Sequence, residues 1–145
     1  MRYDVLIIGA GAAGFACALT LGSANDKFDW AKDKKYLILD DNKSDLNVGK
    51  YFNVAGVESG INGVDLLLKM KKQLEIYKDV ELKDEKATKI ENLGEYFKIT
   101  TENSTYEASI VVLATGLHKF DIECEGVNVK DNIFVPKPNN IYLEN

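Results

Sequence analysis

The chain has only two cysteines, Cys17 and Cys124, and a single histidine, His118, among its 145 residues. The cysteines lie far apart and form neither a C-x-x-C redox pair nor a metal-ligand cluster, and one histidine does not complete a zinc site with them on any spacing rule. No metal site and no disulfide framework is expected, and a reducing, cytoplasmic location fits best. Charge of one sign is not concentrated either. Eighteen basic residues against 23 acidic ones give a net charge of -5, with the lysines scattered among acids, so nothing marks a nucleic-acid partner. With 46% hydrophobic and 28% charged residues, the composition is that of an ordinary globular protein. Its length suits a single domain that buries about 70% of its unfolded surface.

One long uncharged run is present, the 20 residues from Val5 to Ala24. An export signal or a membrane span would want such a run. Asp4 at its threshold, and Gly9, Gly11, Gly14 and Gly22 inside it, argue against both. The run divides better in two. Tyr3 to Ile8 is rich in β-branched residues and bounded by glycine, the pattern of a strand buried on both faces. Phe15 to Leu21 has helical composition.

Between them stands "GAGAAG", a G-x-G-x-x-G with a strand before it and a helix after, which is the context that gives the motif meaning. Gly9 permits the tight turn, Gly11 leaves room for a diphosphate against the backbone, and Gly14 lets helix and strand pack closely. The free amides and positive dipole end of the helix then face the phosphates. The same pattern asks for an acid at the end of the second strand, to bind a ribose diol. "KKYLILDDN" supplies it, with Tyr36 to Leu39 as the strand, Asp40 as the terminal acid and Asp41 next. The spacing from Gly14 is long, and the excess falls in Ser23 to Lys35, a polar surface insertion. Phe28 and Trp30 within it either pin that loop to the domain or form a docking surface.

Asp45 to Gly63 is rich in glycine and asparagine and suggests a long functional loop. Leu66, Leu67, Met70, Leu74 and Tyr77 then form the stripe of an amphipathic helix. Val80 to Leu82 reads as a third parallel strand. Ala87 to Leu93, Tyr96 to Thr101 and Ser104 to Ala108 read as an antiparallel meander. Ala108 to Gly116, "ASIVVLATG", reads as a further buried strand ending in a turn. The fold class expected is thus α/β, a three-layer Rossmann-like domain whose parallel sheet is crossed by a three-stranded antiparallel β-meander.

This order of G-x-G-x-x-G, acid-ended strand, helix, meander and A-T-G resembles the FAD domain of the thioredoxin reductase-like family, the pyridine nucleotide-disulfide oxidoreductases. "NVAGVESGINGVDLL", Asn53 to Leu67, is similar to that family's segment joining the flavin loop to the next helix. The resemblance covers roughly residues 1 to 126 and implies FAD held non-covalently, in a single FAD-binding domain over residues 1–145. It places Gly9, Gly11 and Gly14 at the diphosphate, Asp40 at the adenosine ribose and the Asn53 region near the isoalloxazine ring. Candidate cofactor contacts are Gly9, Ala10, Gly11, Ala12, Ala13, Gly14, Asp40, Asp41, Gly49, Lys50, Asn53, Ala114, Thr115 and Gly116. From composition and spacing alone the ligand is a dinucleotide, with NAD or ADP as open as FAD.

Departures from the family pattern are equally informative. Members carry an NADPH-binding domain with a C-x-x-C after A-T-G, and neither is found here. "PNNIYLEN" is either the family's final flavin-binding strand with its tip replaced by Glu144 and Asn145, or an unrelated tail. Val48, Gly49 and Lys50 match the family's Gly-Gly-Gln only loosely, so Lys50 either favours the anionic reduced flavin or is a solvated loop lysine. His118 either donates a proton near the cofactor or is a plain surface histidine. Cys17 reads as an inert buried thiol, and Cys124 as a loop thiol whose acidic neighbours, Glu123 and Glu125, raise its pKa. No catalytic residue stands out. Three functions remain open: a flavoprotein component passing electrons between a separate donor and a partner, a non-catalytic flavin-binding module or sensor, and an NAD or ADP binder. A face uncovered by the missing domain suggests a homodimer or a redox protein partner there.

Overall fold

Strand β1, Arg2–Ile8, is the centre of the molecule. Leu6 and Ile7 are fully enclosed, with Val5 and Ile8 nearly so, which is what an apolar β-branched run requires of its surroundings. The computed structural model describes residues 1–25, 27–116 and 122–126. Strand β2, Tyr36–Asp40, runs parallel to β1 with Val5 opposite Tyr36 and Ile8 opposite Leu39. Strand β5, Val80–Asp84, lies parallel on the far side of β2.

Helix α1, Ala12–Asn25, starts earlier and ends later than its composition suggested. Ser23 to Asn25 belong to it instead of to the insertion, because Ser23 bonds within the helix and Asn25 is anchored across the insertion. Ser23 Oγ donates to the Thr20 carbonyl at 2.9 Å. Asn25 Nδ2 donates to the Lys34 carbonyl at 2.9 Å, and its Oδ1 accepts from the Tyr36 hydroxyl at 3.0 Å, which draws the insertion back to β2. Ala31, fully enclosed, pins that loop. Phe28 and Trp30 do not: they stack on each other, 5.9 Å between centroids, and are 53% and 63% exposed.

Helix α2, Gly63–Leu74, is capped by Asn62, whose Oδ1 accepts from the Val64 amide at 2.9 Å. Leu66 and Leu74 are buried under it, with Leu67 and Met70 packed beside them, while Tyr77 falls beyond its end. The Tyr77 ring lies over Gly22 of α1, where any Cβ would come within 2.8 Å of it. Between β2 and α2 the long loop is more ordered than its composition implies. It holds a short 3-10 turn, Asp45–Val48, and a two-residue ladder between β3, Lys50–Tyr51, and β4, Ile61–Asn62.

Strands β6, Ala87–Asn92, β7, Phe97–Thr101, and β8, Thr105–Leu113, form the meander. Here the structure corrects the sequence reading: the third meander strand and the returning strand are one. No turn-forming residue interrupts Thr105 to Leu113, so the extended chain bonds on both edges. Thr105 to Ala108 pair antiparallel with β7, and Glu107 to Leu113 run parallel to β1. Nor is it wholly buried, since Ile110 is 55% and Leu113 37% exposed. Strand β9, Glu123–Glu125, pairs parallel with β6, where a loop was expected.

The seven-stranded sheet has the order β5-β2-β1-β8-β7-β6-β9, and its parallel strands separate two cores. Val5, Ile7, Tyr36 and Ile38 meet Phe15 and Ala18 of α1 and Leu74 of α2 on one side. Leu6, Ile8, Leu37 and Leu39 meet Ile90, Ile99 and Ile122 on the other. Each fully buried aliphatic contributes about 1.5–3 kcal/mol. Helices, parallel strands and meander are the three expected layers.

Candidate functional site

The ends of β1, β2 and β8 converge on one glycine turn. Gly9 has φ +101° and donates its amide to the Leu39 carbonyl at 2.8 Å. A Cβ there would strike the Ala114 carbonyl, which the chain holds in place by an Ala114 amide bond to the Ile8 carbonyl at 2.8 Å. A Cβ on Gly14 would strike the Gly9 carbonyl, so the first turn of α1 rests directly on the end of β1. Gly11 differs from both. Its missing Cβ would meet only the Ser44 hydroxyl, at the ordinary contact distance of 3.5 Å. Its carbonyl accepts from the Phe15 amide at 3.0 Å, so the amides of Ala12, Ala13 and Gly14 are first-turn donors with no partner inside the helix. The first turn carries no acidic side chain. Room beside Gly11 and three outward amides at a helix start make an anion cradle.

Asp40 is fastened across this cradle. Its Oδ1 accepts from the Ala10 amide at 2.7 Å and its Oδ2 from the Asn42 amide at 3.1 Å. Asn42 takes φ +60° to make the second bond. Ala10 therefore orients the carboxylate, and its amide is not available to a ligand. A cavity of about 260 Å³ opens beside the pair, lined by Ala10, Phe15, Asp40, Ser44, Leu67 and Lys71 among others. That is a little under the roughly 300–1,000 Å³ of sites that enclose a drug-sized ligand, so it suits one end of a dinucleotide. Phe15, Leu67 and Leu82 are among its apolar lining, and Asp40, Asn42, Ser44, Asn47 and Lys71 are its polar lining.

The remaining candidates are placed apart from that cavity. Asp41 turns onto the Lys43 amide at 3.1 Å and is exposed. Gly49 has a packing role: its carbonyl accepts from the Gly63 amide at 2.9 Å, and a Cβ would lie 3.0 Å from the Tyr51 hydroxyl. Lys50 lies on β3 opposite Asn62, and both it and Asn53 are exposed. Thr115 follows Ala114 into the turn at Gly116, whose φ is +76° and whose missing Cβ would face Asp45 Oδ2 at 3.4 Å. The structure thus gathers Gly9 to Gly14, Asp40 and Ala114 around one turn, where Ala10 and Asp40 line the cavity, and places Asp41, Lys50 and Asn53 outside that lining. His118 and the 136–145 segment lie outside the described residues. Asn42, Ser44, Asn47 and Lys71 line the cavity but were not singled out from the sequence. A cap signal, Ser44 followed by Asp45 at a turn, was available for one of them.

Both cysteines are half-buried, and burial raises the pKa of each. For Cys124 the cause differs from the one the sequence suggested. It sits in β9 between Glu123 and Glu125, whose side chains leave the opposite face of the strand, and Glu125 is paired with Lys89 at 2.9 Å. Neither thiol is poised as a nucleophile.

Residues 3–143 match the pyridine nucleotide-disulphide oxidoreductase family. The chain belongs to that family. Within it, the chain is 32% identical over 114 residues to a thioredoxin reductase of Treponema pallidum (strain Nichols), covering 79% of this chain and 35% of that protein. The structure superposes on Lactococcus lactis thioredoxin reductase with a TM-score of 0.70 at 31% identity, over 86% of this chain and 39% of the other. It also superposes on a ferredoxin-flavin thioredoxin reductase from Clostridium acetobutylicum with a TM-score of 0.65 at 26% identity, over 83% and 39%. The chain therefore spans between 35% and 39% of the length of these three proteins. Its fold is the Rossmann-like FAD-binding domain of thioredoxin reductases, and the family generally binds FAD. No helix among the described residues is long and apolar enough to cross a membrane.

Proposed function

We propose that residues 1–145 form a single FAD-binding redox domain, a thioredoxin reductase-like component that passes electrons between a separate donor and a partner. The observation that carries this is the Ala10–Asp40 bond, which sets an acid for a ribose diol beside a bare Gly11 and a helix start for a diphosphate. In this reading Gly9, Gly11 and Gly14 shape the diphosphate site, and the amides of Ala12, Ala13 and Gly14 neutralise its charge. Asp40 accepts from the adenosine ribose hydroxyls, and Phe15, Leu67 and Leu82 exclude water from the base. The hairpin carrying Gly49, Lys50 and Asn53 and the turn of Ala114, Thr115 and Gly116 border the flavin half. FAD, when bound, supplies the capacity to accept and release electrons.

Ile110, 55% exposed on β8, supports a homodimer or a redox protein partner at the face on which it stands. Two free, widely separated thiols support a reducing, cytoplasmic location. A second reading, an adenine-nucleotide module that takes NAD or ADP, is favoured by the cavity itself, which is sized for the adenosine end while Lys50 and Asn53 stand exposed.

The two are separated by calorimetry with FAD, NAD and ADP, together with the visible spectrum of freshly purified protein. Yellow protein, or stoichiometric uptake of FAD in preference to NAD, supports the flavin reading. Colourless protein that prefers NAD or ADP supports the second. Flavin that is bound yet reduced no faster than free flavin by any donor would make the chain a carrier or sensor.

A further inference from the structure

We infer that Ser44, which follows the acid-ended strand and lies outside the glycine motif, donates its hydroxyl to the diphosphate and makes the site selective for a nucleotide over a nucleoside. This rests on the dinucleotide reading above and adds to it a residue on the wall opposite the helix start.

Three independent observations place it there. Apart from Gly11 and its two chain neighbours, Ser44 Oγ is the one atom among the described residues within 4 Å of the position a Gly11 Cβ would take, at 3.5 Å. It therefore faces the same vacant side of Gly11 that a phosphate needs. Ser44 also lines the cavity that holds Asp40 and Ala10, so a ligand bridging the ribose site and the helix start passes it. Lastly, its hydroxyl accepts from the Leu46 amide at 3.3 Å but has no acceptor of its own among the described residues. A serine hydroxyl is one donor and two acceptors, and the donor is the half left over. An acidic oxygen is the partner for which that proton is worth most.

The wall that carries Ser44 is rigid. The turn Asp45–Val48 lies against the first residue of α2, where the Leu46 carbonyl occupies the place of a Gly63 side chain. The Gly63 amide donates to the Gly49 carbonyl at 2.9 Å, closing the turn from its other end. The Tyr51 hydroxyl reaches the Asp45 and Leu46 carbonyls at 3.4 Å. Ser44 is thus held before any ligand arrives, which is how a single hydrogen bond contributes its full strength.

The test measures FAD, ADP and adenosine binding to wild type, Ser44→Ala and Ser44→Thr by calorimetry, with thermal unfolding of each as a folding control. Loss of one hydrogen bond to a charged group should raise the FAD and ADP dissociation constants of Ser44→Ala by about tenfold or more. Adenosine binding should be unchanged, and Ser44→Thr should restore FAD affinity to near wild type. Unchanged FAD and ADP affinity in Ser44→Ala overturns the inference while leaving the dinucleotide reading intact. An equal loss for adenosine also overturns it, since Ser44 would then act only by shaping the turn. Failure of the wild type to bind any of the three overturns the dinucleotide reading and the inference with it.

Discussion

The backbone amide of Ala10 donates to Asp40 Oδ1 at 2.7 Å, tying the middle of the glycine turn to the acid that ends the second strand. Two sequence signals that are 30 residues apart thereby become one object. With the Asn42 amide on the other oxygen at 3.1 Å, the carboxylate is fixed from both sides.

Asp40→Ala should therefore do two things at once: remove the ribose acceptor and release the glycine turn. FAD affinity is expected to fall by about tenfold to a hundredfold, the range for losing one or two charge-assisted hydrogen bonds. Asp40→Asn, which keeps an oxygen for Ala10, should fall less. Fluorescence titration of flavin against each variant checks the order.

The glycines of the motif should separate by phenotype. Gly14→Ala drives a methyl group into the Gly9 carbonyl and should cost about 1–3 kcal/mol or more of stability, the scale of overpacking. Gly11→Ala adds a Cβ that meets only the Ser44 hydroxyl, at 3.5 Å, so its unfolding midpoint should stay near wild type while dinucleotide binding falls. Denaturant melts with parallel FAD titrations distinguish them, and equal stability losses would contradict the contrast.

Stability should decline in alkali through Tyr3. Burial, then the hydrogen bond it donates to Glu81 at 3.0 Å, pushes its phenol up to about 12. A group whose folded pKa lies above its unfolded value of 10.0 stabilises fully below that value and loses its contribution as pH rises towards 12. Tyr3→Phe should flatten this part of the stability profile, read by denaturant melts across the window.

On the acid side Glu85 has the opposite sign. Hydrogen bonds from Thr101 Oγ1 at 2.6 Å and Tyr106 Oη at 2.7 Å hold its carboxyl below its ordinary 4.5. Its contribution is present above pH 4.5 and is lost as pH falls through the depressed folded value. Glu85→Gln should weaken this part of the acid dependence, and a wild-type acid profile in the variant would show that the loop bonds contribute nothing.

Much of the candidate site's geometry was legible because its determinants are local. A β-branched run, three glycines at fixed spacing and an acid at a strand end each have a short-range reason, and Gly9, Gly14 and Asp40 sit where that reasoning put them. What escaped it depends on distant partners. The union of two strands in Thr105 to Leu113 follows from having β7 on one edge and β1 on the other, which no local pattern records. Strand β9 exists because β6 offers an edge to Glu123–Glu125. Helix α1 outlasts its apolar pattern because Asn25 is anchored by Lys34 and Tyr36. Ser44 and Lys71 reach the cavity from a turn and a helix that only the folded chain brings beside Asp40.

The most direct test of the account is a crystal of the protein soaked with FAD. Density for a diphosphate between Gly11 and the amides of Ala12 to Gly14, with a ribose on Asp40, is the predicted result. Density for the nucleotide elsewhere, or a glycine turn filled by the chain's own residues, would contradict it.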